Sequence, residues 1–248
     1  MSPRLALFLS TAIVGLLFVA MAIHGPIVQL PHYHAFADQR PWLGLPHAAD
    51  VLSNLGFAVA GLAGLSALQR VGGRQGHGYP LFCLSLVLSA IGSAYYHWAP
   101  DDARLMWDRL PIALACAALL LDCWESGRGK AHGGATAMAL ILAVASVLWW
   151  HWGNQQGKGD LRPYLLLQGL PLLLIPLWQA GWQRPLAERR AFAIAIACYI
   201  TAKLLELADL PVLQASGVVS GHTLKHVLAS AGAAVIVWER RSRAAAWP

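Results

Sequence analysis

The sequence predicts an all-α fold, a polytopic membrane helix bundle with a seven-helix core and one extra N-terminal helix. Composition is the first reason: 57% of the 248 residues are hydrophobic and only 12% are charged, against roughly 25% charged residues in ordinary soluble domains. The second is that eight mostly apolar stretches approach the about 20 residues needed to cross hydrocarbon. They run over residues 4 to 23, 48 to 69, 79 to 97, 105 to 124, 135 to 152, 162 to 180, 190 to 207 and 220 to 238. The third is punctuation by Gly and Pro clusters, VGGRQGHGYP, SGRGKAHGG, GNQQGKGDLRP and the stretch around Pro211, which mark the turns between spans.

The first stretch has two readings. Arg4, an apolar run and the small pair Ala20 and Ala22 also describe a secretory signal with its cleavage site. The run is longer than a usual signal core, which favours a retained helix. Residues 1 to 24 are therefore an N-terminal transmembrane helix or a signal, and residues 25 to 240 form one membrane domain. No separate soluble domain and no repeat is apparent. Cys83, Cys116, Cys123 and Cys198 all fall within apolar segments, where cysteine packs as a small hydrophobe.

The formal charge of +6 does not point to nucleic acid, because the basic residues sit in short loops rather than in one stripe. They give orientation instead. With both termini on one side, that side carries eleven Lys and Arg, and the other carries four: Arg40, Arg104, Lys158 and Arg162. Positive charge prefers the cytoplasm, so both termini are expected inside, in what the compact chain and short loops suggest is a bacterial inner membrane. The loops at 24 to 47, 98 to 104, 151 to 161 and 208 to 219 then face outward.

Ionisable side chains in membrane segments are costly and mark functional candidates. Asp50 opens the second stretch, Ser93 and His97 close the third, Asp108 opens the fourth, and His222 and His226 open the eighth. All of these ends lie at the outer face. In GHTLKH the two histidines are four residues apart, so on a helix both imidazoles project from one side and can share a metal. Ser93 and His97 in SAYYHW repeat that interval. Three neutral histidines leave one zinc position open for water, as in catalytic zinc sites, and zinc lowers the pKa of that water to about 7. Asp108 is then placed to orient the water or take its proton, and Ser93 to donate to the developing oxyanion.

Taken singly, each residue has a plainer reading. H-x-x-x-H alone is weak, and HTLKH lacks the Glu of H-E-x-x-H metalloproteases. His97 beside Tyr95, Tyr96 and Trp98 suits an interfacial belt, and Ser93 after Gly92 suits helix packing. Asp108 has Arg109 and Arg104 as available partners. Their convergence at one depth is what these separate readings leave unexplained. His24, His32, His34 and His47 read as solvated loop residues, Lys203 and Glu206 as a neutralising pair, and Lys225 as pointing away from the histidines towards the interface. Trp149, Trp150 and Trp152 read as interfacial belt.

At these positions the sequence resembles the alkaline ceramidase family, within the superfamily of seven-helix membrane hydrolases that also includes the adiponectin and progestin receptors. That family carries S-x-x-x-H near a helix end, an Asp eleven residues later and H-x-x-x-H in the last helix, matched by Ser93, His97, Asp108, His222 and His226. An acidic residue followed by Ser-Asn in its first core helix is matched by Asp50, Ser53 and Asn54. The resemblance covers roughly residues 38 to 238. It implies zinc on the three histidines, with Asp108 and Ser93 at the zinc-bound water. Eukaryotic members also have an acidic, Trp-containing calcium stretch before the first core helix, and FADQR offers only Asp38 there.

The expected function is zinc-dependent hydrolysis of the amide of ceramide or a similar N-acyl lipid. The alternative is a membrane receptor or lipid-binding protein with a structural zinc. A transporter would need polar residues along a whole path, and the inner half has only Asp122 and Glu125 at its edge. The expected partners are the lipid substrate and the bilayer, without nucleic acid.

Overall fold

A computed structural model of the chain describes residues 1–71, 76–129 and 131–245. The chain is an all-α bundle: α1 (Pro3–His24), α2 (Ala48–Leu52), α3 (Leu55–Val71), α4 (Gly78–Trp98), α5 (Asp102–Arg128), α6 (Gly133–Gln155), α7 (Arg162–Gly181), α8 (Leu186–Leu207), α9 (Asp209–Ser216) and α10 (Gly221–Ala245). Among the described residues there is no strand, only an isolated bridge between Trp42 and Leu45. Arg74 and Lys130, counted above for orientation, lie outside the described residues.

Six segments are long and apolar enough to cross a membrane: α1, the run Ala48–Leu68 through α2 and α3, α4, α5, α6 and α7. A bent pair, α8 with α9, makes a seventh, turning through 83° at its break. The protein is therefore a membrane protein. The eighth stretch forms the 25-residue helix α10, which is not among those spans. Its N-terminal end carries His222, Lys225 and His226, and these polar residues dilute its hydropathy.

Local chemistry fixes the ends. Asp101 accepts the backbone N–H of Arg104 at 2.7 Å and starts α5, and Gly129, in the left-handed region at φ 71°, stops it. Pro111 in α5 and Pro171 and Pro176 in α7 do not end their helices, as is common where neighbouring helices supply the missing contacts. The stretch around Pro211, expected as loop, instead contains α9. Pro211 is its third residue, in a first turn whose N–H groups have no intrahelical partner to lose.

Helix α1 lies antiparallel against α7. Trp178 donates its indole N–H to Ser10 Oγ at 2.8 Å, and Arg162 donates to the Met21 carbonyl at 2.9 Å near the other end. At the face opposite the histidines, Arg240 pairs with Asp122, while Arg184 and Arg243 both bond Glu188, at 2.9 and 2.7 Å. Asp122 is thus a structural ion-pair partner there.

Candidate metal centre

Two glycines bring the site's helices together. A side chain at Gly92 would collide with the carbonyl oxygen of Trp107, so α4 and α5 approach closely beside Ser93 and Asp108. A side chain at Gly221 would collide with the Leu205 carbonyl, so the start of α10 sits directly on the bend between α8 and α9. Asp209, just past that bend, accepts the backbone N–H of His222 at 2.8 Å and that of Ala37 at 2.9 Å. It caps α10 and ties the loop between α1 and α2 to it.

His97, His222 and His226 meet as expected. All three are buried, and their ligand atoms lie within 4.8 Å of one another. The Nε2 atoms of His97 and His222 are 3.3 Å apart. Two nitrogens about 2.0–2.1 Å from one tetrahedral ion stand roughly 3.3–3.4 Å apart, so this pair already has a metal-ligand spacing. The ligand atom of His226 lies within 4.8 Å of the other two. Among the described residues no Cys, Asp or Glu joins the triad as a fourth ligand.

Hydrogen bonding agrees with a metal. Ser53 Oγ gives its one proton to the Asp50 carbonyl, 3.0 Å away, and so must accept from His226 Nδ1 at 2.9 Å. That fixes the proton on Nδ1 and leaves the Nε2 lone pair free, the arrangement metal-binding histidines show. His97 Nδ1 is buried without a partner, and its other nitrogen faces only His222. Two imidazole nitrogens facing each other at this distance are what an ion between them would bring together, while Nδ1 has no hydrogen-bond partner among the described residues. Asp50, fully buried, accepts from Thr223 Oγ1 at 2.6 Å and links α2 to α10 between the two histidines.

A cap covers the triad at this end of the bundle. Phe36 sets its ring edge-on against His97 and His222, with centroids 4.6 and 4.5 Å away. The loop carrying it is strapped down by Arg40, which bonds Asp38 at 2.6–2.8 Å and the Val218 carbonyl at 2.6 Å. The Arg40 guanidinium holds the Asp38 carboxyl below its ordinary range against the opposing effect of burial. Phe36 sits in an aperiodic loop, where no sequence pattern marks it.

A cavity of about 220 Å³ reaches the triad at one of its three histidines, His226, with Ser93 and Asp108 at the same end and the Ser93 hydroxyl beside the Asp108 carboxylate. Along α10 the lining runs from His226 to Ile236, about 15 Å at 1.5 Å per residue. Its inner walls are apolar, with Phe57, Phe82, Leu86, Ile112 and Leu119 facing Ile196 and Ala233. Helices α7 and α8 both line it yet scarcely touch each other, whereas α8 packs along the length of α10. Between α7 and α8 the cavity wall is therefore thinly packed.

Three expectations need correction. Lys225 does not turn to the interface: it bonds Glu206 at 2.9 Å and lines the cavity, because α8 places a carboxylate within reach. Neither arginine pairs with Asp108, since Arg104 bonds Asp101 and Arg109 is buried among aromatic rings. Its guanidinium lies 4.0 Å over Trp150, with Tyr33 and Tyr164 at 5.1 and 5.5 Å. Trp150 is accordingly buried in the core, while Trp149 and Trp152 are exposed as belt residues should be.

Comparison with protein-family models, curated proteins and solved structures returns no match to this chain. What the site does must be argued from its own atoms.

Proposed function

We propose that the protein is a zinc-dependent amidohydrolase that cleaves ceramide or a similar N-acyl lipid from within the bilayer. The carrying observation is the cavity: an elongated, mostly apolar chamber ends on His226, one of three clustered histidines, next to Asp108 and Ser93. Zinc on neutral imidazoles supplies Lewis acidity and an activated water. The chain supplies the remainder. The apolar walls hold the acyl chain and present the amide at the outer end. Asp108 takes the proton from the attacking water and passes it to the leaving amine nitrogen. Ser93 donates to the amide oxygen as negative charge builds there. Phe36 and its loop keep bulk water off the histidines, so substrate arrives through the thinly packed wall between α7 and α8. The resemblance to alkaline ceramidases at the same five residues supports this reading. So does the absence of a fourth His, Cys, Asp or Glu ligand among the described residues, because a structural zinc site is closed. We place both termini in the cytoplasm on the eleven-to-four asymmetry of Lys and Arg, with the histidines towards the outer leaflet.

The test is metal analysis of purified protein together with release of fatty acid from ceramide in mixed micelles. About one zinc per chain is expected, with activity lost on chelation and restored by zinc. A protein that binds no zinc, or binds it and cleaves no lipid amide, overturns the reading.

A further inference from the structure

Besides the histidines, the cavity's outer end carries a cationic feature that hydrolysis of a neutral amide does not require. Glu206 accepts from Lys203 at 2.7 Å with one oxygen and from Lys225 at 2.9 Å with the other. Both lysines line the cavity. The Lys225 contact joins α10 to α8 and explains itself as a staple. Lys203 shares α8 with Glu206, three residues away, so its ion pair joins nothing. A second ammonium in a membrane span is costly, and one carboxylate already served the first.

Lys203 also has unspent donors. An ammonium has three N–H groups; one goes to Glu206, and among the described residues no other acceptor bonds it. Its side chain is 45% exposed and lines the cavity. A neutral headgroup offers these spare donors only a neutral acceptor in a weakly polar chamber, whereas an anionic one offers a charge-assisted bond.

We propose that Lys203, supported by Lys225, binds an anionic oxygen group next to the scissile amide, so that the substrates are N-acyl lipids with a carboxylate or phosphate on the amine side. The position relative to the amide rests on the hydrolase reading above. The charge preference rests on the two lysines alone.

The test uses three lipids with one acyl chain: N-oleoylglycine, N-oleoylphosphoethanolamine and neutral N-oleoylethanolamine. Binding is read from intrinsic fluorescence of the full-length protein as purified in detergent, in the mixing phase that precedes turnover. At least one anionic lipid should bind about tenfold or more tightly than the neutral one, as a charge-assisted hydrogen bond implies. Comparing the first two distinguishes carboxylate from phosphate. Lys203→Gln should erase the preference and Lys203→Arg should keep it, with the unliganded melting temperature of each variant confirming its fold. Lys203→Met replaces the Gln variant if that one does not purify folded. Equal binding of all three lipids, or a preference that survives loss of the Lys203 charge, overturns the proposal. The two readings fail separately. If the preference holds but zinc-loaded protein cleaves none of the three lipids, the hydrolase falls and the anion site stands. If all three are cleaved and bound alike, the anion site falls and the hydrolase stands.

Discussion

Ser53 accepts the Nδ1 proton of His226 at 2.9 Å because its own hydrogen is already committed to the Asp50 carbonyl at 3.0 Å. Together with the Asp50 backbone carbonyl, which also bonds His226, this serine sets which nitrogen of a ligand carries the lone pair. Removing it lets His226 adopt the other tautomer or rotate. Ser53→Ala should therefore lower metal affinity by about ten- to a hundredfold, the usual cost of losing such support, while the bundle stays folded. Competition with a chelator measures this. Unchanged affinity would mean that the Asp50 carbonyl alone orients the ring.

The cap gives a pH-dependent prediction. The Arg40 bond depresses the Asp38 carboxyl below its ordinary value of 3.8, so the carboxylate form is favoured in the folded protein. Its contribution is present above that value and is lost as pH falls towards the lowered one. The strap should hold through the neutral range and release only in acid. Arg40→Gln should release it at pH 7. Amide exchange at residues 35 to 41 reads both, with faster exchange expected in the variant. Equal protection in variant and wild type would show that Asp209 and Phe36 hold the loop by themselves.

Gly92 is the third test. The atom that a side chain would strike there is a backbone carbonyl, which no rotamer change moves aside. Gly92→Ala should cost about 1–3 kcal/mol and push Ser93 away from Asp108. Thermal melting in detergent should fall by several degrees, and hydrolysis should fall further than stability accounts for. A variant that melts and turns over like wild type would mean that the helices separate there freely.

Much of this was legible in the sequence because it depends on short-range rules. Apolar length marks spans, and an interval of four puts His222 and His226 on one side of a helix. Loop charge and the turn clusters then set which ends meet. What stayed hidden depends on neighbours distant in sequence. Lys225 reads as an interfacial lysine until α8 brings Glu206 beside it. Trp150 reads as belt until Arg109, which looks like a partner for Asp108, turns onto its indole face. Phe36 has no periodic context, and α9 was masked by a proline whose position in the first turn makes it harmless.

Asp108 separates catalysis from structure more sharply than the ligands do. Replacing a histidine removes the metal and can unfold the bundle, so lost activity would be ambiguous. Asp108 lines the cavity beside Ser93 and is not one of the three clustered ligands. Asp108→Asn keeps its size and its bond to Ser93 but cannot take a proton. Zinc content and melting temperature should stay near wild type while turnover of lipid amide falls by about a hundredfold or more. Substrate binding should change little, because the acyl chain is held by the apolar walls further in. If the variant keeps zinc and hydrolyses at an undiminished rate, Asp108 is not the base and the proton must leave by another group. If it loses zinc, Asp108 supports the metal itself, and the receptor-like reading with a structural ion gains ground.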